Sequence, residues 1–132
     1  MVTVGPYRGA PWLDGDAVML VWGAQAGLHA DLALTTTGLD SDHYDIQVSW
    51  SDGEQLWDGA SRTVACDGSG CTRQCTFFRS ILMGRASLED ACGLVQRPLT
   101  LSVEIGDQER WAHQTIALVA DVYGPSFNDP CP

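Results

Sequence analysis

Three kinds of side chain in this chain of 132 residues could do chemistry: five cysteines, a few histidines, and carboxylates gathered at turns. Cys66, Cys71 and Cys75 stand close together, at spacings that loosely fit a zinc knuckle. Zinc takes four tetrahedral ligands, and no histidine lies near these three in sequence. The competing reading is disulfides, the usual fate of cysteines in a small exported domain. His29 and Asp31 fall on one side of an alternating stretch, and Trp111 and His113 on one side of another. Were those stretches neighbours, a His-Asp-His cluster suited to a transition metal would form. The plainer reading packs His29 at a glycine corner, bonded to backbone. Asp14, Asp16 and Asp42, with Asp40 and Asp45, could gather Ca²⁺, which wants six to eight oxygens. No Asp-x-Asp-x-Asp-Gly loop supports that, and solvated turn acids are the alternative. Trp12, Trp57 and Trp111 could stack on sugar rings if exposed, or belong to the core.

No catalytic constellation appears. Gly-x-Ser-x-Gly, His-Glu-x-x-His and a phosphate-cradling glycine loop before a helix are all missing. Every cation is one of seven arginines, so Schiff-base chemistry and Lys–Asn crosslinks are excluded. The net charge of −10 opposes binding to nucleic acid and to anionic membrane surfaces. No apolar run approaches the ~20 residues of a membrane span. Residues 1–6 read as a strand rather than an export signal, which is expected to lie outside this chain. We expect no enzyme and no cofactor.

The elements that must position these residues are strands. Asp14-Gly15-Asp16 is a turn. Ala17 to Trp22 is a continuous apolar run, the pattern of a strand covered on both faces. Gly23 and Gly27 bracket a corner. From Leu28 the pattern has period two: Leu28, Ala30, Leu32 and Leu34 face one way, His29, Asp31, Ala33 and Thr35 the wet way. Ile46, Val48 and Trp50 alternate next, and Ser51-Asp52-Gly53-Glu54 reads as a hairpin connection. Leu56 to Ala65 should return, interrupted by Gly59. Residues 66–75 read as a loop, 76–83 as a strand, and 86–92 as a helical turn capped by Ser87. Leu99, Leu101, Val103 and Ile105 alternate, and Trp111 to Val122 is the last strand.

Turns every eight to twelve residues suit an all-β, antiparallel, immunoglobulin-like β-sandwich of about seven or eight strands. One domain is expected over 1–132, with a core at 1–124 and a tail at 125–132. If strands alternate up and down, Cys92 and Cys131 meet at one end, which predicts a Cys92–Cys131 staple. Cys66 pairs with Cys75 at the other end, and Cys71 is left over.

Gly23-Ala24-Gln25-Ala26-Gly27-Leu28-His29, after Asp14-Gly15-Asp16 and before Gly38-Leu39-Asp40, resembles a recurrent uncharacterised domain. That domain occurs in exported proteins and lipoproteins of myxobacteria and their relatives. Its motif runs Gly-x-Gln-Gly-Gly-x-His. Here Ala26 replaces one glycine, and Ala24 stands where proline is common. A weaker likeness extends over Arg97-Pro98 to Arg110-Trp111-Ala112. The resemblance implies an immunoglobulin-like sandwich outside the cytoplasm and no known activity. Together these readings favour an exported structural or interaction module, extracellular, on the cell surface or periplasmic, partnered by itself or another exported protein. The alternatives are a carbohydrate- or small-ligand-binding sandwich, with or without Ca²⁺, and a metal-binding sandwich using His29 and His113.

Overall fold

Alternating apolar residues make strands, and the strands here form one sheet. The computed structural model describes residues 2–6, 9–23, 27–37, 43–53, 56–58, 62–69, 72–83, 87–106, 111–124 and 128–131; at 43, 56–58, 62–65, 67–69 and 72–78 only the backbone is described. The elements are β1 (Val2–Pro6), β2 (Ala17–Gly23), β3 (Gly27–Thr37), β4 (His43–Ser51), β5 (Leu56–Asp58), β6 (Arg62–Ala65), β7 (Asp67–Ser69), β8 (Thr72–Met83), α1 (Leu88–Cys92), β9 (Pro98–Gly106) and β10 (Trp111–Tyr123). Their order in the sheet is β5-β4-β9-β10-β2-β3-β8-β7, with β1 on β3 and β6 on β4.

The sheet curls into a half-barrel. β4 and β8 stand far apart in strand order, yet the Trp50 indole Nε1 on β4 donates to Ser80 Oγ on β8 at 2.8 Å, and both residues are buried. Only a sheet folded over on itself brings them together. The inward residues fill the space between: Ile46, Val48 and Trp50 of β4; Leu99, Leu101, Val103 and Ile105 of β9; Leu28, Ala30, Leu32 and Leu34 of β3. Burying each of the valines, leucines and isoleucines among them contributes roughly 1.5–3 kcal/mol.

One pairing departs from an all-antiparallel sandwich. β2 runs parallel to β10, from Ala17 beside Val119 to Val21 beside Tyr123, so the sheet is mixed. The turn before β2 dictates this direction. Gly15 N–H donates to the Ala117 carbonyl, Ala117 N–H donates to the Asp14 carboxylate, and Val119 N–H donates to the Asp16 carbonyl. Gly15 holds φ at 92°, which a side chain would resist, so the turn launches β2 alongside β10. β2 is also not covered on both faces. Val18 and Leu20 point into the core, whereas Ala17 and Met19 are exposed, so its apolar run hides an ordinary alternation.

Among the described residues, three register pairs join β2 to β3, from Val21–His29 to Gly23–Gly27. β2 is therefore a narrow seam between the β4–β9–β10 half and the β1–β3–β8 half. At the opposite opening of the half-barrel, the Gln114 side-chain carbonyl accepts from Val4 N–H, and Trp12 N–H donates to the Val4 carbonyl. The chain passes so close there that a Cβ on Gly5 would lie 2.7 Å from the Ala10 carbonyl oxygen. Residues 66–75, expected as a loop, include β7, which pairs with the start of β8.

α1 begins where Ser87 Oγ accepts from Asp90 N–H, with Glu89 and Asp90 placed favourably in its first turn. Its last residue, Cys92, is disulfide-bonded to Cys131 across 39 positions. Cys66 is buried and disulfide-bonded too; the expected partner Cys75 lies among the residues described by backbone alone, and Cys71 lies outside the described residues.

Two stability tests follow from this architecture. Ser80→Ala leaves the Trp50 indole N–H buried without an acceptor, so unfolding in denaturant should show a loss of about 1–3 kcal/mol. The double change Cys92→Ser and Cys131→Ser should cost about 4 kcal/mol by loop-closure entropy, read in the same way.

Candidate interaction edge

Hydrogen bonding in an antiparallel pair alternates, so every second residue of a strand points both backbone groups to one side. On β10, Ala120 uses its N–H and carbonyl toward Arg97 and Gln96, just before β9. Ala117 uses its own toward the Asp14–Gly15 turn, on the opposite side. The β9 register runs without a shift from Trp111 to Val119. The odd residues Trp111, His113 and Thr115 therefore direct their N–H and C=O groups away from β9. β2 occupies that side only from Val119 onward. Among the described residues, nothing hydrogen-bonds to the outward backbone groups of these three.

The side chains of the edge are exposed on the outer face, with Trp111 at 53%. Thr115 Oγ1 lies 3.3 Å from Ser102 Oγ on β9, and His113 stands opposite Glu104. Ala112 and Gln114 face the other way, toward the core side. Natural edges are commonly blunted by lysine, proline, a bulge or an inward charge. The segment 111–117 has none of these, and it has no carboxylate in a chain of 17 acids.

The other candidate residues are scattered. Trp12 is only 7% exposed and belongs to the core, so it offers no face for a sugar; the turn before β2 folds it inward beside β1. The side chain of Trp57 lies outside what is described. His29 and His113 do not meet. His29 lies in register with Val21, itself beside Tyr123, so His113 is ten residues farther along β10, roughly 33 Å away. Among the described residues, no group of three or more His, Cys, Asp or Glu side chains could hold a metal ion. Asp14 and Asp16 cap backbone N–H groups of Ala117 and Leu13, and Asp42 lies outside the described residues.

His29 is itself unusual. It belongs to the face of β3 that alternation marks as wet, yet it is 6% exposed, between Val21 of β2 and Ile81 of β8. Its Nδ1 is buried without a hydrogen-bond partner among the described residues. The neighbouring row holds the Asp31–Arg79 ion pair at 3.0 Å. Burial, then the Arg79 charge, lowers the imidazole pKa below its ordinary 6.5, and Asp31 opposes them.

No protein-family model matches the chain, and no curated protein matches it. Among solved structures, the CooA pilin subunit from enterotoxigenic Escherichia coli is similar over 92% of this chain and 97% of that one, at 12% identity and a TM-score of 0.40. No helix among the described residues is long and apolar enough to cross a membrane.

The buried imidazole gives a pH dependence of known sign. Its folded pKa lies below the unfolded one, so the unfolded chain binds the proton more readily. Stability should fall as pH drops through 6.5 and level off below the lowered folded value. Thermal unfolding of wild type and His29→Leu between pH 7.5 and 4.5 checks this. The variant should lose part of the slope near pH 6; an unchanged slope would assign it to other groups.

Proposed function

We propose that the chain is a non-enzymatic interaction module that acts outside the cytoplasm by adding strands to its sheet. The observation that carries this reading is the uncharged edge of β10 at Trp111, His113 and Thr115, whose outward backbone groups have no strand partner among the described residues. Such an edge supplies regularly spaced backbone donors and acceptors, which pair with any extended strand and need no pocket. The disulfide Cys92–Cys131 fits an oxidising compartment. The Gly23-to-His29 motif supports membership in the exported domain family of myxobacteria. The Trp50–Ser80 bond supports treating the curled sheet as an immunoglobulin-like sandwich, in which β1–β3–β8 faces β4–β9–β10.

The test is made in the native source. Intact cells are treated with a non-permeant biotin reagent, and unreduced extracts are sized by gel filtration with an antibody to the chain. Surface labelling and migration well above the 14.2 kDa monomer are the expected outcome. A chain found only as free monomer, or only in the cytoplasm, would sink the proposal.

A further inference from the structure

We infer that His29 is an acid-sensitive latch on the seam between β2 and β3, and that protonating it opens this seam while the rest of the sheet stays folded. The seam is the shortest join around His29. β3 pairs with β8 from Leu28 to Thr37, and β2 pairs with β10 from Ala17 to Val21. Among the described residues, β2 meets β3 only through residues 21–23 and 27–29, and His29 stands at one end of those pairs. The register of β3 with β8 also slips between Leu28 and His29, an irregularity that locally disrupts a ladder. The imidazole lies between Val21 and Ile81, 94% buried, and its Nδ1 has no hydrogen-bond partner. A neutral ring tolerates one unmade bond at modest cost. An imidazolium carries N–H on both nitrogens, so protonation puts a charged donor where no acceptor waits.

Among the described residues, the neighbouring charges do not offset this cost. β2 has no titratable side chain from Ala17 to Gly23. On β3, Asp31 shares the outer face, but Arg79 of β8 holds it at 3.0 Å, so a cation accompanies the carboxylate. On β10, beyond β2, Tyr123 stands in register with Val21 and Asp121 with Met19, and the Tyr123 hydroxyl donates to Asp121 at 2.9 Å. Burial and then Arg79 lower the imidazole pKa, with Asp31 opposing. An opened seam lets water reach the ring and restores ordinary proton binding. The ratio of open to closed seam therefore rises as pH falls below 6.5 and levels off below the pKa of the closed state. Opening parts residues 21–23 from residues 27–29. Two ties between the halves survive it: Trp50 to Ser80 through the interior, and Val4 to Gln114 at the other opening. The event is thus local, a sub-global opening rather than unfolding.

The experiment is amide hydrogen exchange of the purified, unreduced chain between pH 7.5 and 4.5, without urea and in low urea. Each rate is divided by the intrinsic rate at that pH to give a protection factor. Amides of residues 21–23 and 27–29 report the seam, and those of Leu99–Ile105 in β9 report global unfolding. Two variants run beside wild type: His29→Gln, which cannot take the proton, and Arg79→Gln, which removes the cation and leaves Asp31 to favour the imidazolium. The expected result is a seam less protected than β9, losing protection severalfold on acidification. Its exchange should respond weakly to urea, as a small opening does, and that of β9 steeply. The acid response should vanish in His29→Gln and weaken in Arg79→Gln; if circular dichroism shows the first misfolded, the second decides. Seam and β9 amides with the same protection and the same urea response at every pH would overturn the latch. So would an acid response unchanged in both variants, or a seam whose protection ignores pH.

Discussion

The fold depends on one hydrogen bond that crosses its interior. A sheet in the order β5-β4-β9-β10-β2-β3-β8-β7 has no intrinsic reason to stop curling at a given radius. Twist bends it, and side-chain volume limits the bend. The Trp50 indole, reaching from β4 to Ser80 on β8, sets the distance between the two halves. A hydrocarbon of equal size would fill the same space without specifying its partner. The indole N–H must find an acceptor in a dry interior, and the β8 hydroxyl is the acceptor it finds. The inward leucines and valines of β3 and β9 then have a defined gap to occupy.

That crossing bond matters because the sheet is weakly joined elsewhere. Its continuity between halves runs through the few residue pairs of β2 with β3, next to the buried His29. At the other opening the strands β1 and β10 do not pair. Gln114 extends its amide to Val4, and the backbone at Trp12 completes the contact. Among the described residues, no strand pairs with the N-terminal half of β10 on this side; Val4 of β1 meets the Gln114 side chain, and Asp14 seats on Ala117.

Much of this was legible in the residues. Alternation at Leu28–Leu34 and Leu99–Ile105 marks two strands and their inner faces, and Ser87 marks the start of α1. Other features needed the third dimension. The run Ala17–Trp22 reads as doubly covered because Met19 and Ala17 are apolar whichever way they face. His29 sits on a side that period two marks as wet; its burial depends on Val21 and Ile81 from other strands. The parallel pairing of β2 follows from how Asp14 and Gly15 seat on Ala117, a contact across 103 residues that no local pattern reveals. The edge of β10 is least legible of all. A strand's two edges carry the same backbone groups, and only the sheet order says which one is covered.

The parallel pairing of β2 and β10 has a mechanical consequence. Tension drawn through residue 17 and residue 123 pulls on opposite ends of this pair, so its hydrogen bonds are loaded in shear and share the force. An antiparallel hairpin pulled from its open end would unzip bond by bond. The disulfide changes where the load enters. With Cys131 joined to Cys92, force arriving from beyond the tail passes covalently into α1 and shields β10. Reduction would hand the same force to the β2–β10 pair, making the redox state of one bond the setting that selects which part of the fold resists pulling.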